Sequence, residues 1–447
     1  MRAVILAAGK GERLRPYFSR PKPLVSLLGR PLIERNILTL KQCGITEIVV
    51  ILGAYVNEMK HALGDGKRLG VNIQYVENPD WELGNGVSAY SFHHEWKDDE
   101  TFILMMADHI FQYEVMRDFI EQAENLNPDE ILLAADKRLD RVYDVEECTK
   151  VKANRDYAIT LGKQLNDYNA VDCGLFIGSK ALLDSLAQSI KEEKYALTDA
   201  VNVLAERGKV KLHFVKDGFW IDVDDIESYK QCEKILLQSL VPPKDGFISK
   251  TINRKFSLKI TKVIAATSIT PNQVTFVSFL LTLISAIAFA TGHPLIAGLI
   301  AQLSSIVDGV DGEIARLKFL KSNFGGLLDS LLDRYGDGFL IIGMTYAWYS
   351  ASENPTAFLV GAIALLGAPM SMLFKEKFQA ITGNTFVPEL HDGPTRYLPS
   401  NRDGRLFIIM LGGIFNLIPA TLIVLALITH IQTIFRLYYA WSKKFVS

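Results

Sequence analysis

The sequence has few cysteines and no excess of basic charge, and each of these absences excludes a class of protein. Its four cysteines lie before residue 240 and none belongs to a C-x-x-C pair. That argues against a disulfide framework or a zinc site and favours a reducing compartment. Lys and Arg number 48 against 50 Asp and Glu, giving a net charge of −2, so nucleic acid is not an expected partner. Repeats and low-complexity tracts are absent, and the apolar run at 3–8 is too short for a signal peptide.

Apolar residues are unevenly distributed along the 447 residues. Up to about residue 240 the composition is that of a mixed soluble domain, whereas long apolar runs dominate beyond about residue 270. Each part is long enough to bury its own core. Val241-Pro242-Pro243 is the expected boundary, because Pro-Pro stops helices. The predicted organisation is a soluble domain over 1–240, a linker and helix over 241–268, and a membrane domain over 269–447.

Short apolar segments alternate with helical patterns in the soluble part. Strands are predicted at 2–8, 48–52, 71–76 and 102–107, and helices at 32–42 and 114–124. This alternation predicts a doubly wound, Rossmann-like α/β domain. Ligands of such domains bind beyond the carboxyl ends of the strands.

The loop after the first strand, G-K-G-E-R-L-R-P, has the composition of a phosphate-binding loop. Gly9 and Gly11 permit close approach of a phosphate to the backbone. Arg13 and Lys22 supply positive charge to neutralise it. Asp108 follows a later strand, where it is either a metal ligand or a helix N-cap.

Four segments together resemble the sugar-phosphate nucleotidyltransferases over about residues 1–230: L-A-A-G-K-G-E-R-L-R-P, P-K-P-L, G-N-G-V-S and M-A-D. The resemblance implies that Arg13 and Lys22 contact a triphosphate and act in catalysis. It implies that Asp108 binds a metal, with a second aspartate in W-I-D-V-D, where we favour Asp222 over Asp224. The expected metal is Mg²⁺ or Mn²⁺. The residues expected near the base and sugar are Gly84, Asn85, Gly86 and Ser88.

Two further polar residues of the soluble part each have two interpretations. Lys163, in L-G-K, either contacts the phosphate of an alcohol substrate or is a solvated surface lysine. Asp172, in D-C-G-L-F, either contacts a sugar hydroxyl or is a turn residue at a strand end.

A basic amphipathic helix is predicted after the boundary. Ile248, Ile252, Phe256 and Ile260 recur every four residues. The basic residues between them are Lys250, Arg254, Lys255, Lys259 and Lys262. Such a helix suits a membrane interface. The alternative is a helix packed on the soluble domain.

Six apolar spans follow, several of them long enough to cross a bilayer. They lie near 273–291, 294–315, 325–349, 356–374, 405–418 and 420–441, and the fifth is the shortest. This pattern predicts an all-α, multi-pass domain in the cell membrane. The same domain is a candidate surface for forming a homodimer.

Basic residues are concentrated in alternate connections of the membrane part. They are Arg316, Lys318 and Lys321, then Lys375, Lys377, Arg396, Arg402 and Arg405, then Lys443 and Lys444. The intervening loops carry none. The positive-inside rule therefore places both ends of the chain, and the soluble domain, in the cytoplasm.

Four carboxylates lie inside or beside these apolar spans, in D-G-V-D-G-E-I-A-R and G-G-L-L-D-S-L-L-D. Asp308 and Asp311 are three residues apart and Asp329 and Asp333 are four apart, so each pair shares one helix face. Carboxylates at membrane depth are costly and normally meet a cation. Four of them suit one or two divalent metals. A proton relay or a buried ion-pair cluster is the alternative, disfavoured because few basic residues lie in these helices.

The full spacing, D-x-x-D-G-x-x-A-R-x8-G-x-x-x-D-x-x-x-D, resembles the signature of the CDP-alcohol phosphotransferases at every fixed position. The resemblance implies that Asp308, Asp311, Asp329 and Asp333 hold Mg²⁺ or Mn²⁺ on a CDP-linked donor. It also implies that Asp333 is the base that deprotonates the acceptor hydroxyl. The motif residues expected to bear on the nucleotide are Gly312, Ala315, Arg316 and Gly325.

This pair of domains in this order resembles the bifunctional enzymes of di-myo-inositol phosphate synthesis. In them an inositol-1-phosphate cytidylyltransferase is fused to a di-myo-inositol phosphate phosphate synthase. The resemblance implies that CTP and inositol 1-phosphate give CDP-inositol and pyrophosphate. The inositol phosphate then passes from CDP-inositol to a second inositol phosphate, and CMP leaves. Arg396, Arg402 and Arg405 are either ligands of the acceptor phosphate or ordinary loop charges.

Two other classes of function stay open. A phospholipid synthase would use CDP-diacylglycerol at the same aspartates and leave the nucleotidyltransferase motif without an obvious role. A non-enzymatic scaffold or transporter with a relic nucleotide domain should have lost Gly9, Arg13, Lys22 or Asp108, and all four are present.

Overall fold

The structure is a computed structural model that describes residues 1–97, 100–242 and 245–442. Contacts between residues divide the chain into two compact units, Met1–Ile235 and Leu236–Ser447. Three residues named above, Pro243 of the expected boundary and Lys443 and Lys444 of the final loop charges, lie outside the described residues.

The first unit is an α/β domain. Its strands are β1 Arg2–Ala7, β2 Ser26–Leu27, β3 Arg30–Pro31, β4 Glu47–Leu52, β5 Asn72–Glu77, β6 Phe102–Met106, β7 His109–Phe111, β8 Ile131–Asp136, β9 Lys150–Asn154, β10 Tyr157–Gly162, β11 Ala170–Gly178, β12 Val210–Phe214 and β13 Trp220–Asp222. Its helices are α1 Leu32–Gln42, α2 Val56–Leu63, α3 Asn85–Tyr90, α4 Tyr113–Ile120, α5 Lys180–Lys191, α6 Leu197–Glu206 and α7 Ile226–Ser239, the last of which reaches past the division.

Nine of these strands form one sheet in the order β5-β4-β1-β6-β11-β8-β12-β10-β9. The first four are parallel, with Ala3 opposite both Ile48 and Ile103, whereas β11 is antiparallel to both of its neighbours β6 and β8. The α/β fold predicted from the sequence is confirmed, and the sheet is mixed, not wholly parallel. β1 is buried along its whole length, as expected for a parallel strand covered on both faces.

A separate two-stranded ribbon positions the residues that follow β6. In it β7 pairs antiparallel with β13, and His109 lies opposite Asp222. The backbone N–H of Val223 also donates to the carbonyl of Asp108 at 3.1 Å. This pairing brings a segment near residue 222 to the carboxyl end of a strand that ends at residue 106.

The second unit is helical. Its helices are α8 Arg254–Ile264, α9 Pro271–Ala290, α10 Pro294–Leu317, α11 Asn323–Ser352, α12 Thr356–Thr382, α13 Pro388–His391, α14 Arg402–Ile414 and α15 Ile418–Ser442. Local signals begin several of them. Pro271 and Pro294 stand at the first turns of α9 and α10, and the side chains of Thr270 and Ser322 cap α9 and α11.

In the described part of the chain, four helices are long and apolar enough to cross a membrane: α9, α10, α12 and α15. The other two predicted spans differ. α11 has 30 residues but carries Asp329, Asp333, Arg334 and Asp337 in its first half. α14 has 13 residues, which is about 20 Å of helix against a hydrocarbon core of about 30 Å. A membrane-embedded helical region is supported, whereas the number of six spans is not confirmed.

The predicted amphipathic helix forms, but its inward face is polar. A π-helical turn at Ser249–Asn253 precedes α8, and the buried positions are Ser249, Asn253, Ser257 and Thr261. Ser257 and Thr261 donate to the fully buried Glu313 of α10, at 2.6 and 2.5 Å. Of the apolar stripe, Phe256 is exposed, whereas Ile260 packs against a small buried apolar cluster of α9 and α10. Arg254, one of the basic residues of this helix, pairs with Asp245 and Glu313 within the same unit.

Candidate active sites

The glycine loop after β1 is shaped by the side chain of Lys22. Gly11 has a φ of +60°, and a Cβ there would lie 2.4 Å from Cβ of Lys22. Gly11 therefore leaves room for Lys22 and does not face a ligand. A Cβ on Gly9 would meet nothing within 4 Å. Gly9 is thus the open position of the loop.

Lys22 is buried and joins three aspartates. Its Nζ lies 2.6 Å from Asp108 Oδ2 and 4.0 Å from Asp222 Oδ1, and it also donates to Asp224. Burial opposes its charge, but these carboxylates raise the pKa of Lys22 above its usual value. Lys22 holds the aspartates together, which differs from the direct contact with a triphosphate that the resemblance implied.

His109 is a site residue that the sequence reasoning missed. Its Nδ1 lies 3.0 Å from Asp108 Oδ1 and 3.6 Å from Asp222 Oδ1. Although burial opposes a charged imidazole, Asp222 and Asp108 raise the pKa of His109 to about 9. Its place directly after Asp108 was the available signal.

Asp108 and Asp222 carry the features of a cation site. Ligand atoms of Asp108, His109 and Asp222 all lie within 4.8 Å of one another. Oδ1 of Asp222 is buried and has no hydrogen-bond partner among the described residues. Burial raises the pKa of Asp222 to about 6, and the nearby Asp108 carboxylate adds to this. Asp224 instead pairs with Lys22 and lies 3.6 Å from Arg13, so the geometry favours Asp222 as the ligand.

These side chains open into a cavity of about 550 Å³. The residues of the sequence prediction that line it are Gly9, Arg13, Gly84, Asn85, Ser88, Asp108, Lys163, Asp172, Asp222 and Asp224. Among the described residues, Gly11, Lys22 and Gly86 are not in its wall. Glu147 reaches both exposed cations of the wall, at 3.7 Å from Arg13 and 3.9 Å from Lys163.

The G-N-G turn has a packing role. A Cβ on Gly84 or Gly86 would lie 2.5 or 2.6 Å from the carbonyl oxygen of Tyr195. Oδ1 of Asn85 accepts a hydrogen bond from the backbone N–H of Leu197 at 2.8 Å. Ser88 accepts one from Asn78. These contacts fix the turn against the segment 195–197, where α6 begins, and its other side lines the cavity.

Asp172 lies inside β11, so its interpretation as a turn residue at a strand end is wrong. Its Oδ1 accepts a hydrogen bond from the N–H of Gly174 at 2.6 Å, beside an irregularity in the β11–β8 pairing. Burial raises the pKa of Asp172 to about 6. It is a carboxyl group facing the cavity.

The second cluster of carboxylates spans α10 and α11. Ligand atoms of Asp308, Asp311 and Asp329 lie within 4.8 Å of one another. Helix α9 supports them, since Thr275 donates to Asp311 at 2.5 Å and Ser278 to Asp308 at 3.2 Å. Oδ1 of Asp329 is buried without a hydrogen-bond partner in the part of the chain that the structure describes. Three carboxylates and an unpartnered oxygen fit a hard cation.

Arginines reach this cluster from outside the two helices that carry the aspartates. Nη1 of Arg402 lies 2.8 Å from Asp308 Oδ1 and 2.9 Å from Asp333 Oδ1. Arg405 donates to Asp337, a buried carboxylate one turn after Asp333 that the motif does not include. Few basic residues were expected in the helices that carry the aspartates, and the ion pairs form instead with Arg402 of α14. Asp333 belongs to an ion pair here and not to the group of three.

The three arginines considered for an acceptor phosphate have different surroundings. Arg405 is buried and Arg402 is mostly buried, and both pair with aspartates, whereas Arg396 is exposed and stacks on Tyr397, 4.6 Å from its ring centroid. Of the three, Arg402 is the one in contact with predicted motif aspartates. Lys318 is also buried and donates to backbone carbonyls, so several charges counted for membrane orientation belong to the fold.

The small residues of the motif make contacts within the helices that do not involve a ligand. A Cβ on Gly312 would lie 3.2 Å from the guanidinium of Arg316, whose Nη2 donates to the carbonyl of Leu240 at 2.6 Å. The N–H of Gly325 donates to Oγ of Ser322, the cap of α11. Ala315 is half-buried on α10. None of these contacts requires a nucleotide.

Both units match known protein families. The family described as "Nucleotidyl transferase" matches residues 2–239, and the one described as "CDP-alcohol phosphatidyltransferase" matches residues 268–432. Over 99% of its length this chain is 34% identical to the bifunctional IPC transferase and DIPP synthase of Thermococcus kodakarensis, covering 98% of that protein. The protein of the same name from Aquifex aeolicus is 32% identical, with 99% and 98% covered. The archaetidylinositol phosphate synthase of Pyrococcus horikoshii is 28% identical over 41% of this chain and 90% of its own length.

Proposed function

This chain belongs to the family of bifunctional IPC transferases and DIPP synthases, and we propose that it makes CDP-inositol and then consumes it. The first reaction joins CTP to inositol 1-phosphate and releases pyrophosphate. The second transfers the inositol phosphate from CDP-inositol to a second inositol phosphate and releases CMP. The observation that carries the proposal is a carboxylate site in each unit with a buried oxygen that lacks a partner among the described residues, Asp222 Oδ1 in one and Asp329 Oδ1 in the other. Such atoms are costly unless a ligand completes them.

We propose Mg²⁺ or Mn²⁺ as that ligand in both sites. Hard divalent cations prefer carboxylate oxygens as ligands. In each site the candidate ligand atoms lie within 4.8 Å of one another, and one buried carboxylate oxygen has no hydrogen-bond partner among the described residues. When bound, such a cation neutralises charge on the reacting phosphates. Asp108 and Asp222 would hold it in the first unit, and Asp308, Asp311 and Asp329 in the second, with Asp333 beside them.

In the first reaction a phosphate oxygen of inositol 1-phosphate attacks the α-phosphorus of CTP. The open backbone at Gly9 and the cations Arg13 and Lys163 line the cavity in which the phosphates would lie. Both cations are exposed and only loosely paired with Glu147, so a phosphate can replace that carboxylate. Lys22 keeps Asp108 and Asp224 in place. Gly84, Asn85 and Ser88 border the space that would be left for base and sugar.

In the second reaction a hydroxyl of the acceptor attacks the phosphorus that bears inositol in CDP-inositol. Asp333 accepts the hydroxyl proton, and CMP leaves with the electron pair of the broken bond. Arg402 is the counter-ion of Asp333 before substrate binds. The phosphate of the acceptor is a dianion and competes for that guanidinium. Its binding therefore frees Asp333 next to the acceptor hydroxyl.

The test supplies the purified full chain with CTP, inositol 1-phosphate and Mg²⁺. Pyrophosphate, CDP-inositol, CMP and the phosphodiester product are followed by ³¹P NMR. We expect CDP-inositol to appear first and CMP to follow with the phosphodiester. Absence of pyrophosphate release with inositol 1-phosphate would refute the first assignment, and CDP-inositol that is never consumed would refute the second.

A second candidate for the membrane unit is a phospholipid synthase. It is favoured by the similarity to the Pyrococcus horikoshii archaetidylinositol phosphate synthase. The two functions differ in the donor, so the discriminating assay offers CDP-diacylglycerol or its archaeal ether counterpart beside CDP-inositol. Release of CMP from the lipid donor alone would favour this candidate.

We propose that the membrane unit is multi-pass in the cell membrane, with both ends of the chain cytoplasmic. The sign of the loop charges supports this orientation. CDP-inositol made by the first unit would then be released on the side from which the aspartates are reached. A homodimer through the membrane unit stays a prediction, testable by crosslinking in membranes.

A further inference from the structure

An ion pair remote from the motif aspartates fixes the segment that leads into α14. Asp392, just after α13, accepts from Nε and Nη2 of Arg436 on α15, at 2.7 and 2.6 Å. Nη1 of Arg436 donates to Oγ of Ser371 on α12 at 2.7 Å. Asp392 is 1% exposed and Arg436 is 2% exposed. One end of the segment 392–401 is therefore tied to two helices by a buried bidentate pair.

The same network reaches the other end of the segment. Gln432, one turn before Arg436, donates to Asp392 at 3.3 Å and accepts a hydrogen bond from Ser400. The carbonyl of Ser400 accepts from Nη1 of Arg405 at 2.6 Å, and Arg405 pairs with Asp337. Arg402, the first residue of α14, follows Ser400 by two residues and pairs with the motif aspartates Asp308 and Asp333.

The stability of the fold alone does not explain why Asp392 and Arg436 form a buried ion pair. Burying an aspartate and an arginine costs several kcal/mol of desolvation, and well-packed apolar side chains of similar volume are often as stable. An arginine inside a predominantly apolar helix such as α15 is costly in a membrane too. What charged partners add is a bidentate geometry that apolar contacts cannot fix. Here the bidentate pair fixes the segment 392–401, which leads directly into Arg402 and Arg405 at the start of α14.

We propose that Asp392 and Arg436 are positioning residues for the second reaction, which set the place of Arg402 for the acceptor phosphate. The inference rests on the proposed function in naming that phosphate. Neither residue touches a motif aspartate. Their effect passes through Ser400 and Arg405 to the start of α14. Loss of the pair should therefore weaken acceptor use and leave binding of CDP-inositol to Asp308, Asp311 and Asp329 unchanged.

The test compares Arg436→Gln, Asp392→Asn and the double variant Asp392→Leu/Arg436→Met in the full chain. Each single variant leaves a buried charge unpaired, so we expect a lower Tm. We also expect the KM for inositol 1-phosphate in the transfer step to rise by about ten- to a hundredfold, since misplaced binding groups cost that much. The double variant should regain most of the Tm and keep the raised KM. Ser285→Ala, which removes a buried hydrogen bond between α9 and α10, is the control for general loosening and should leave that KM unchanged.

The outcomes separate the inference from the function it rests on. A double variant that regains both Tm and acceptor KM, or single variants with the parent KM, would overturn the positioning role. If the parent chain transfers nothing to inositol phosphate, the proposed function fails instead. Backbone hydrogen exchange at 401–405 then still tests the pair without any acceptor. Exchange there should be faster in the double variant, and unchanged exchange would overturn the inference.

Discussion

Nη1 of Arg402 lies 2.9 Å from Oδ1 of Asp333, and the same nitrogen lies 2.8 Å from Oδ1 of Asp308. One guanidinium thus bridges the proposed base and a proposed metal ligand. A base held by a cation is a poor proton acceptor until the cation is drawn away. On the proposed mechanism, in which the acceptor phosphate draws Arg402 away, acceptor binding and proton transfer become parts of one event, and the role of Asp333 differs from that of Asp329.

Asp333→Asn should keep CDP-inositol binding and lose transfer by about a hundredfold or more, because the amide cannot accept the hydroxyl proton. The first reaction takes place in the other unit and should be unaffected, so CDP-inositol should accumulate from CTP and inositol 1-phosphate. Both reactions are to be measured on the same preparation.

Asp329→Asn is the matched variant, one turn earlier on α11. It removes a carboxylate from the group of three and should weaken binding of both the metal and CDP-inositol. Transfer by Asp333→Asn at the parent rate, or its failure to make CDP-inositol, would show that the two roles are wrongly divided.

In the first unit, Asp222→Asn should lower CDP-inositol formation far more than Asp224→Asn. Asp222 has a buried oxygen without a partner in the described part of the chain, whereas Asp224 is paired with Lys22. Rates over a range of Mg²⁺ concentration measure this, and the Asp222 variant should need more metal. An equal metal requirement in both variants would remove the preference for Asp222.

Features set by local chemistry could be predicted from the sequence. A buried apolar run followed by glycines gave β1 and its loop, and helix α1 begins and ends where the pattern placed it, at Leu32 and Gln42. The helical spacing of Asp308 with Asp311 and of Asp329 with Asp333 placed each pair on one face. The expected membrane character of the second unit followed from its hydropathy.

Features set by contacts between distant segments could not be predicted. The pairing of Asp222 with His109 depends on the register of two strands of three residues each, which leave no periodic signal. The approach of Arg402 to Asp308 depends on how the segment before α14 is held. The spacing of charges along one helix contains no information about an arginine supplied from another.

The orientation of the membrane unit gives a third prediction. Reporter fusions at Met1 and Ser447 should report the same, cytoplasmic side. The structure adds a reason to test this orientation, because Lys318 and Arg405 are buried and Arg402 is paired with aspartates, so these three count less as loop charges. Opposite sides would indicate an odd number of crossings, with α14, at 13 residues, as the helix that does not cross.

Gly11→Ala should impair the first reaction through Lys22. The new Cβ would lie 2.4 Å from Cβ of Lys22, so the lysine must leave Asp108 and Asp224. We expect CDP-inositol formation to fall by at least about tenfold, as for the misplacement of other site groups. Transfer from supplied CDP-inositol should not change. Initial rates of both reactions measure this.

Gly208→Ala is the matched control, because Gly208 of the same unit has a φ of +66° and a Cβ there would meet nothing within 4 Å. Both substitutions force a side chain into the left-handed region, at a cost of about 1–2 kcal/mol. Both should therefore lower the Tm of the first unit, but only Gly11→Ala should lose CDP-inositol formation. Equal activity losses in the two variants would mean that backbone strain, and not the place of Lys22, accounts for the effect.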